Sequence, residues 1–362
     1  MKYSAFLCFF LLDFELGLLM KKTLFFVLAW LGCTLSCTFA IAQIQQATIS
    51  DAPVSAKFVP KATHARFMAI ATSQEGELLA VGERGIIVRS IDNGVTWKQM
   101  PSPVDITLAS VTFETGKRVW AVGQAATILR SDDGGQSWKI VRYKPSDLRY
   151  YLKVAVREGV IYVLGSDGEL WLSRDAGANW EMTTLENGEA VPHLFSLAFV
   201  GQAGLISAEH GSVFIRGKND DPWKPLAIAY NGSFFGVTPF ADQFLLFGMS
   251  GRAFLVSRDG KSQRLIDTRT TQFLLDAVLI PEKNQAVVVG RGGAIIIVGM
   301  DGQLLKSYRR PDEADITAVA ARGDDVYLAT MKGGVEHLKA SDFVQPTGEL
   351  QPATLPPAAI SK

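Results

Sequence analysis

The chain carries one eight-residue pattern, Ser-x-Asp-x-Gly-x-x-Trp, three times at nearly constant spacing, at residues 90–97, 131–138 and 173–180. Each copy lies between an apolar run and a second extended segment, which is typical of the turn of a β-hairpin. Ser and Asp oxygens accept hydrogen bonds from turn N–H groups, Gly takes a positive φ, and Trp buries a large area beside the turn. We predict that these residues hold turns and carry no chemistry. They are Ser90, Asp92, Gly94, Trp97, Ser131, Asp133, Gly135, Trp138, Ser173, Asp175, Gly177 and Trp180.

A longer repeat frame emerges when the small residue that ends the second apolar run of each unit is aligned. These residues are Gly82, Gly123, Gly165, Ala208, Gly248, Gly290 and Thr330, and they lie 40 to 43 positions apart. The second unit shows four runs rich in Val, Ile and aromatic residues, at residues 108–113, 118–122, 127–130 and 138–142. A period of about 40 with several short strands per unit predicts an all-β chain, a seven-bladed β-propeller with four-stranded blades.

The repeat frame also sets the predicted domain bounds. The propeller runs over residues 60–345, after an N-terminal segment at residues 43–59 and before a Pro-rich tail at residues 346–362, which its composition predicts to be disordered or extended. The seventh unit has a weak fourth strand. We therefore expect residues 47–58 to supply an outer strand that closes the ring and removes a free sheet edge.

Residues 1–42 have the pattern of a targeting signal. A basic pair precedes an apolar stretch, and an Ala-x-Ala pattern ends at Ala42, so we expect a translation start at Met20, export, and cleavage after Ala42. The mature protein would then be periplasmic or secreted. The alternatives are an uncleaved anchor helix, which the apolar length allows, and a lipoprotein, for which the residues before the cysteines match poorly. All three cysteines lie in this region, so the mature chain would contain no disulfide.

Composition and motif spacing argue against most catalytic, cofactor and nucleic-acid sites. The 36 Lys and Arg residues balance 36 Asp and Glu residues, so no net field favours nucleic acid. A Gly-rich stretch at residues 289–293 imitates a dinucleotide loop, but it lacks the third Gly and falls at a repeated hairpin turn. The four histidines lack metal-ligand spacing. We therefore predict no catalytic residue, no cofactor and no metal.

A propeller collects its functional loops on one face around the central channel. The loops that join strands two and three of each blade share this face with the loops that lead into each first strand. A cluster of Arg, Tyr and His there is typical of a protein-binding or anion-binding surface. The alternative is that these loops are polar only because charged residues are normally exposed. The predicted binding face consists of Arg66, Arg84, Arg149, Tyr150, His193, His210, Arg291 and Lys332, with Asp167 and Glu209 as opposing charges.

The repeat form Ala-Val-Gly-x-x-Gly-x-Ile-x-x-Ser-x-Asp-x-Gly-x-x-Trp occurs at residues 80–97 and, with Ala126 in place of the second Gly, at residues 121–138. This form, whose last part is called an Asp box, resembles the photosystem II stability/assembly factor-like propellers. The resemblance covers essentially the whole mature chain. It implies a non-enzymatic scaffold, expected to be a monomer, that binds a protein partner and helps membrane-protein complexes assemble. In a non-photosynthetic host, an inner-membrane exporter is the expected partner.

Sialidases and related glycosidases also carry Asp boxes and give the competing interpretation. A sialidase-like site needs Arg residues for the substrate carboxylate, a Tyr nucleophile activated by Glu, and an acid Asp. Tyr150 is the candidate nucleophile on the predicted face, and Glu209 is the nearby carboxylate. However, residues 59–68 lack the Arg-Ile-Pro type motif of that family, and sialidase propellers usually have six blades rather than seven. We therefore expect no glycosidase activity, which requires a paired set of carboxylates.

Overall fold

The computed structural model describes residues 52–219 and 221–344, which form seven antiparallel β-sheets. Six sheets have four strands in chain order, and the seventh has three. The helical elements in this part of the chain are single 3-10 turns of three to five residues. Each sheet is one blade, and the first strands of consecutive blades pack side by side. The predicted seven-bladed β-propeller is therefore confirmed.

The strands run in chain order from the innermost first strand of a blade to its rim. Blades 1 and 2 contain β1 (Phe67–Thr72), β2 (Leu78–Gly82), β3 (Ile87–Ser90), β4 (Lys98–Met100), β5 (Leu108–Phe113), β6 (Val119–Gly123), β7 (Thr127–Ser131) and β8 (Lys139–Arg142). Blades 3 and 4 contain β9 (Tyr151–Arg157), β10 (Val160–Gly165), β11 (Glu169–Ser173), β12 (Glu181–Thr184), β13 (Leu194–Val200), β14 (Ala203–Ala208), β15 (Val213–Arg216) and β16 (Lys224–Pro225). Blades 5 to 7 contain β17 (Phe234–Phe240), β18 (Gln243–Gly248), β19 (Ala253–Ser257), β20 (Gln263–Ile266), β21 (Leu274–Ile280), β22 (Gln285–Gly290), β23 (Ala294–Gly299), β24 (Leu304–Arg309), β25 (Ile316–Arg322), β26 (Asp325–Thr330) and β27 (Val335–Lys339).

The second strands are buried because neighbouring blades cover both of their faces. Every residue of β2, β6 and β14 is buried, so these strands are unbroken apolar runs rather than alternating ones. The rim is different, and β12 is exposed over its whole length. The core therefore consists of layers between blades. In one such layer, Leu79 and Val81 of blade 1 pack with Val119 and Trp138 of blade 2.

The small residue that defines the repeat frame ends the second strand in all seven blades. A side chain at Gly82 would place its Cβ atom 2.0 Å from the carbonyl oxygen of Arg66. At Gly290 the corresponding distance, to the carbonyl oxygen of Phe273, is 1.9 Å. The backbone that leads into the first strand thus occupies the space of a side chain. This close approach explains why most repeats have glycine at this point.

The three turn motifs join the third and fourth strands of blades 1 to 3, as predicted. In the second copy, Ser131 Oγ lies 2.7 Å from Asp133 Oδ1 and accepts from the Gly135 N–H at 2.8 Å. The Asp133 carboxylate accepts from the Ser137 N–H at 2.9 Å, and the indole N–H of Trp138 donates to the Gly135 carbonyl at 3.1 Å. The same Ser-to-Gly and Trp-to-Gly bonds recur in the first and third copies.

The burial of the motif tryptophans differs from the expectation that all three are largely buried. Trp138 is 8% exposed, but Trp97 and Trp180 are only half-buried. Each ring lies against the second strand of the preceding blade, as in the edge-to-face pair of Trp180 with Trp120, whose centroids are 6.3 Å apart. The motif lies at the rim of the blade. The face of each Trp ring that points away from the preceding blade is therefore covered only by nearby side chains, and the cover differs between the three copies.

The ring closes where blade 7 packs against blade 1. Phe67 and Leu78 of blade 1 share a buried cluster with Ala318 and Tyr327 of blade 7. Thr317 Oγ1 donates to the Phe67 carbonyl at 2.7 Å, and the Tyr327 hydroxyl reaches the Asn93 carbonyl of blade 1 at 3.2 Å. Apolar packing and side-chain hydrogen bonds therefore join the first and last blades.

The predicted ring-closing strand is not found in residues 52–58. They form no strand, and they bond to blade 1: the Ala56 N–H donates to the Ser102 carbonyl at 3.0 Å, and Gln99 Nε2 donates to the Lys57 carbonyl at 2.9 Å. The remainder of that prediction lies outside the described residues, as do the signal region at residues 1–42 and the tail at residues 346–362. Within the described chain, no helix has the length and apolar character needed to span a membrane.

Candidate functional site

The turns between second and third strands and the loops that lead into the first strands form one surface, here called the turn face. In every blade, the N–H of the first turn residue donates to the carbonyl of the residue before the first strand. The seven bonds join Glu83 to Arg66 (3.1 Å), Gln124 to Thr107 (3.0 Å), Ser166 to Tyr150 (2.9 Å), Glu209 to His193 (3.1 Å), Met249 to Ser233 (2.9 Å), Arg291 to Phe273 (2.8 Å) and Met331 to Asp315 (2.9 Å). These seven backbone hydrogen bonds, here called the frame bonds, fix the Cα positions from which the side chains of the turn face extend.

All eight residues of the predicted binding face lie in the turns or lead-in loops that these bonds join. They are Arg66 and Arg84 in blade 1, Arg149 and Tyr150 at the start of blade 3, His193 and His210 in blade 4, Arg291 in blade 6, and Lys332 in blade 7. The structure therefore brings them to one face, as the repeat frame required. Their role in binding stays a prediction.

Blade 1 presents two exposed guanidinium groups. Arg66 and Arg84 are both exposed, and neither forms an ion pair with another residue of the described chain. Arg84 has a left-handed backbone with φ of 54°, and Gly85 after it lies so close to Val104 that a Cβ atom would be 1.9 Å from that carbonyl oxygen. The turn that carries Arg84 is thus held by tight backbone packing, and its side chain extends into solvent.

The guanidinium of Arg149 is occupied by two carboxylates of its own surroundings. Its Nη2 atom lies 2.6 Å from Asp147 Oδ2, and its Nη1 atom contacts Glu169. Hydrogen bonds to these two groups raise the pKa of Arg149 above its usual value, and the bond from Arg149 lowers the pKa of Asp147. Glu169 also accepts from the indole of Trp171 at 2.9 Å. Arg149 therefore belongs to a charge network within blade 3 and presents little net positive charge.

Arg291 and Lys332 are paired in the same way. Arg291 Nε lies 3.2 Å from Asp315 Oδ2, and Lys332 Nζ lies 3.0 Å from Asp312 Oδ2. Hydrogen bonds from Arg310 and Lys332 lower the pKa of Asp312 well below its usual value. Three of the five predicted cations are thus balanced by acids on the turn face. Arg66 and Arg84 of blade 1 are the two predicted cations whose guanidinium groups form no ion pair in the described chain, although the Glu83 carboxylate accepts from the Arg66 backbone N–H.

The two histidines belong to an acidic part of the turn face. His193 Nδ1 accepts from the Asp167 N–H at 3.0 Å, so in the neutral ring the proton is on Nε2, which lies 3.9 Å from Glu209 Oε2. Glu209 is only 4% exposed and also accepts from the His193 N–H. The His210 N–H donates to Ser233 Oγ at 3.2 Å. The Glu209 carboxylate is therefore bonded into blade 4, whereas Asp167 bonds through its backbone N–H and its side chain is exposed.

The arrangement differs from the one a sialidase-like site needs. The carboxylate of Glu209 bonds to His193, and within the described residues no hydrogen bond joins the Tyr150 hydroxyl to a carboxylate. The activated Tyr nucleophile of the competing interpretation is thus not assembled. In the same part of the chain, no group of three or more potential metal ligands comes together.

The central channel contains two charged groups that the sequence did not single out. Lys153 and Asp276 occupy equivalent positions in the first strands of blades 3 and 6, each next to the bulged residue of its strand. Asp276 accepts from the Val319 N–H of blade 7 at 2.9 Å, and burial raises the pKa of its carboxyl. Lys153 also lines a cavity of about 320 Å³ formed by the first strands of blades 2 to 5. Ser110 and Ser196 at the same position bond to the next blade, so this position links blades.

Sequence reasoning also missed a part of the turn face that is apolar and basic. Phe195, Phe235 and Phe273 lie side by side there, and Arg252 and Arg269 belong to the loops of blades 5 and 6. The three phenylalanines are here called the aromatic arc. The repeat frame could have located these phenylalanines. Phe195 and Phe235 are the second residues of first strands, and Phe273 is the last residue before a first strand.

Comparison with known proteins adds a family to this architecture. Residues 53–149 match the family model described as the photosynthesis system II assembly factor YCF48. No curated protein matches the chain in sequence. The family match covers blades 1 and 2 and the lead into blade 3, which include the two best copies of the repeat.

Solved structures show the same fold over most of the chain. A structure of YCF48 bound to D1 peptide is 18% identical, with a TM-score of 0.61 over 78% of this chain and 95% of that chain. YCF48 from Cyanidioschyzon merolae is 17% identical, with a TM-score of 0.62 over 79% and 98%. Virginiamycin B lyase from Staphylococcus aureus is 13% identical, with a TM-score of 0.65 over 79% and 98%. At these identities the structural likeness establishes the fold alone. By the family match over residues 53–149 and by its seven-bladed fold, the chain is similar to the photosystem II assembly factor-like β-propellers.

Proposed function

We propose that this chain is an exported, non-enzymatic scaffold that binds a segment of a protein partner on its turn face and assists assembly of a membrane-associated complex. The family match of residues 53–149 supports an assembly role. The structure of YCF48 bound to D1 peptide supports a peptide segment as the ligand. The signal pattern of residues 1–42 supports export, which would bring the chain to a partner at the membrane, such as an inner-membrane exporter in a non-photosynthetic host.

The exposed guanidinium groups of Arg66 and Arg84 carry this proposal. The Glu83 N–H donates to the Arg66 carbonyl and Arg84 follows Glu83 in the chain, so the two arginines lie close together on blade 1. The Glu83 carboxylate accepts from the Arg66 backbone N–H, and neither guanidinium is held in an ion pair within the described chain. Guanidinium groups bind carboxylates through two parallel hydrogen bonds, so an exposed pair that is not engaged in ion pairs is suited to an acidic segment. Such contacts also accelerate association and weaken with added salt.

The test is affinity capture from a detergent-solubilised membrane fraction of the host, quantified by mass spectrometry. Wild type is compared with Arg66→Glu/Arg84→Glu and with Lys98→Glu/Lys117→Glu as a matched control. Lys98 and Lys117 are also exposed, but they lie at the opposite ends of the strands. Each double variant changes the net charge equally, so only the location of the change differs.

We expect wild type and the control to enrich the same membrane protein, and the turn-face variant to lose about tenfold of that capture, the equivalent of about 1.4 kcal/mol. Raising the salt concentration from about 0.05 M to about 0.5 M should weaken wild-type capture in the same direction. Equal capture by both double variants would remove the turn face of blade 1 from the proposal.

A further inference from the structure

The aromatic arc is a continuous apolar row on an otherwise polar surface. The ring centroids of Phe195 and Phe235 are 5.4 Å apart with planes at 66°, and those of Phe235 and Phe273 are 5.7 Å apart at 42°. Both geometries are favourable for aromatic pairs. The arc runs from blade 4 through blade 5 to blade 6, and all three side chains are partly exposed.

A β-bulge directs two members of the arc out of the core. In every blade, the first residue of the first strand is fully buried, and the register of the first strand shifts at the next residue. The bulged residue is therefore turned away from the layer between blades and is only partly buried. The seven bulged residues, in blade order, are Met68, Ala109, Leu152, Phe195, Phe235, Leu275 and Thr317.

Four of the five bulky apolar members of this set lie in consecutive blades. Blades 3 to 6 carry Leu152, Phe195, Phe235 and Leu275, and blade 1 carries Met68, whereas blade 2 carries an alanine and blade 7 a threonine. The same backbone geometry therefore accommodates small residues, and the fold does not require aromatic rings at this position. Partly exposed aromatic rings grouped at one site are typical of a binding surface.

Charge is divided around the arc. In the loops of blades 5 and 6 the cations are Arg252, Arg269 and Arg291, and the acid is Asp267. In the loop that leads into blade 7, Asp315 pairs with Arg291, and Arg310 lies with Asp312 and Glu313. The guanidinium of Arg291 lies 5.7 Å from the centroid of the Phe273 ring, and that of Arg252 lies 5.9 Å from the Tyr230 ring. On blade 4 the charged groups of the turn face are Glu186, Glu189 and Glu209. Cations are thus in excess at one end of the arc, and acids are in excess at the other.

We propose that the aromatic arc is the anchor subsite for the partner segment, and that it takes an aromatic or leucine side chain beside a carboxylate. The apolar side chain packs on Phe235 between its two aromatic neighbours, and the carboxylate lies toward blades 5 and 6. The acidic groups of blade 4 disfavour the reverse orientation, because like charges would then face each other. This inference rests on the proposed function and names the chemistry of the partner.

The probe is a pair of fluorescein-labelled synthetic peptides, Gly-Ser-Ala-Asp-Phe-Glu-Asp-Ser-Gly and the same peptide with Ala in place of Phe. Binding to the full mature chain is measured by fluorescence anisotropy. The variants are Phe235→Ala and the conservative Phe235→Leu, with Phe58→Ala as the matched control. Phe58 is 65% exposed, its neighbours Lys57 and Val59 bond to Gln99 of the outermost strand of blade 1, and it loses the same atoms on substitution. Thermal unfolding of each variant checks that the propeller is intact, and Phe195→Ala replaces Phe235→Ala if the latter unfolds.

We expect wild type and Phe58→Ala to bind the Phe peptide about tenfold more tightly than the Ala peptide, as partial burial of one aromatic side chain predicts. Phe235→Ala should lose this preference, and Phe235→Leu should keep most of it. If Phe235→Ala keeps the full preference, or wild type has none, the anchor assignment is wrong. If the anchor assignment is wrong but affinity capture of the membrane protein still depends on Arg66 and Arg84, the proposed function is retained. Self-association of wild type in light scattering that Phe235→Ala abolishes would assign the arc to a second copy and overturn the assignment.

Discussion

Truncating one of two equivalent tryptophans tests whether the repeat register determines stability. Trp138 and Trp97 occupy the same place in their motifs, and each indole N–H donates to the motif glycine carbonyl at 3.1 Å. They differ in cover, because Trp138 is 8% exposed and Trp97 is half-buried. A fully buried Trp removes about 200 Å² from water, which at about 25 cal/mol per Å² corresponds to about 5 kcal/mol before the retained Cβ is subtracted.

We therefore expect Trp138→Ala to lower the free energy of unfolding by about 3–5 kcal/mol, the range measured for large aromatic truncations in cores. Trp97→Ala should cost less, since more of the Trp97 side chain is already in water. Urea unfolding followed by far-ultraviolet circular dichroism measures both losses without depending on tryptophan fluorescence. Equal losses, or a larger loss for Trp97→Ala, would refute the assignment of Trp138 to the layer between blades 1 and 2.

Three further predictions concern the motif acids and the paired cation of blade 6. Hydrogen bonds from the Thr96 side chain and backbone lower the pKa of Asp92 to about 2. The free energy of unfolding of wild type should therefore exceed that of Asp92→Asn by a constant amount above about pH 4, and this difference should disappear as the pH falls through about 2. Urea unfolding at stepped pH measures this difference, and a gap that grows below pH 4 would contradict it. Asp133→Ala should lower the free energy of unfolding by about 1 kcal/mol, because the donors that it leaves unpaired reach solvent, while partner capture is unchanged. Arg291→Glu should lower the thermal unfolding midpoint, because it puts a second carboxylate beside Asp315, whereas Arg66→Glu should not; similar melting of the two variants would contradict the ion pair.

The repeat frame could be predicted from the sequence because its causes are local. Gly82 and Gly290 are required by a backbone carbonyl that approaches within about 2 Å of where a Cβ atom would be, so they mark the end of the second strand directly. The motif turns are equally local, since every hydrogen bond of Ser131 and Asp133 within the turn spans at most four residues. The seven blades therefore followed from spacing and residue type alone, whereas the ring-closing strand predicted from the weak seventh unit is not found in residues 52–58.

The charge of the turn face could not be predicted because its causes are long-range. Arg149, before β9, pairs with Glu169 at the start of β11. Arg291 of blade 6 pairs with Asp315 in the loop that leads into blade 7. A count of cations on the face treats all of them alike. Only the three-dimensional placement shows that the guanidinium groups of Arg66 and Arg84 form no ion pair in the described chain, whereas Arg149, Arg291 and Lys332 do.

The division between a fixed frame and variable side chains explains where function can reside in this fold. The Ser-x-Asp-x-Gly-x-x-Trp turns lie at the opposite ends of the strands from the turn face, and their polar groups are engaged by the turn itself. On the turn face, by contrast, the seven frame bonds use only backbone atoms, so the side chains of the residues before the first strands are unconstrained by the frame. Those residues range from Arg66 to Phe273 and Asp315, and the bulged positions range from alanine to phenylalanine. Because the backbone is repeated and these side chains are not, they distinguish one blade from another on the turn face. Under the proposed function, the arginines of blade 1 and the aromatic rings of blades 4 to 6 would give the partner one orientation across the channel.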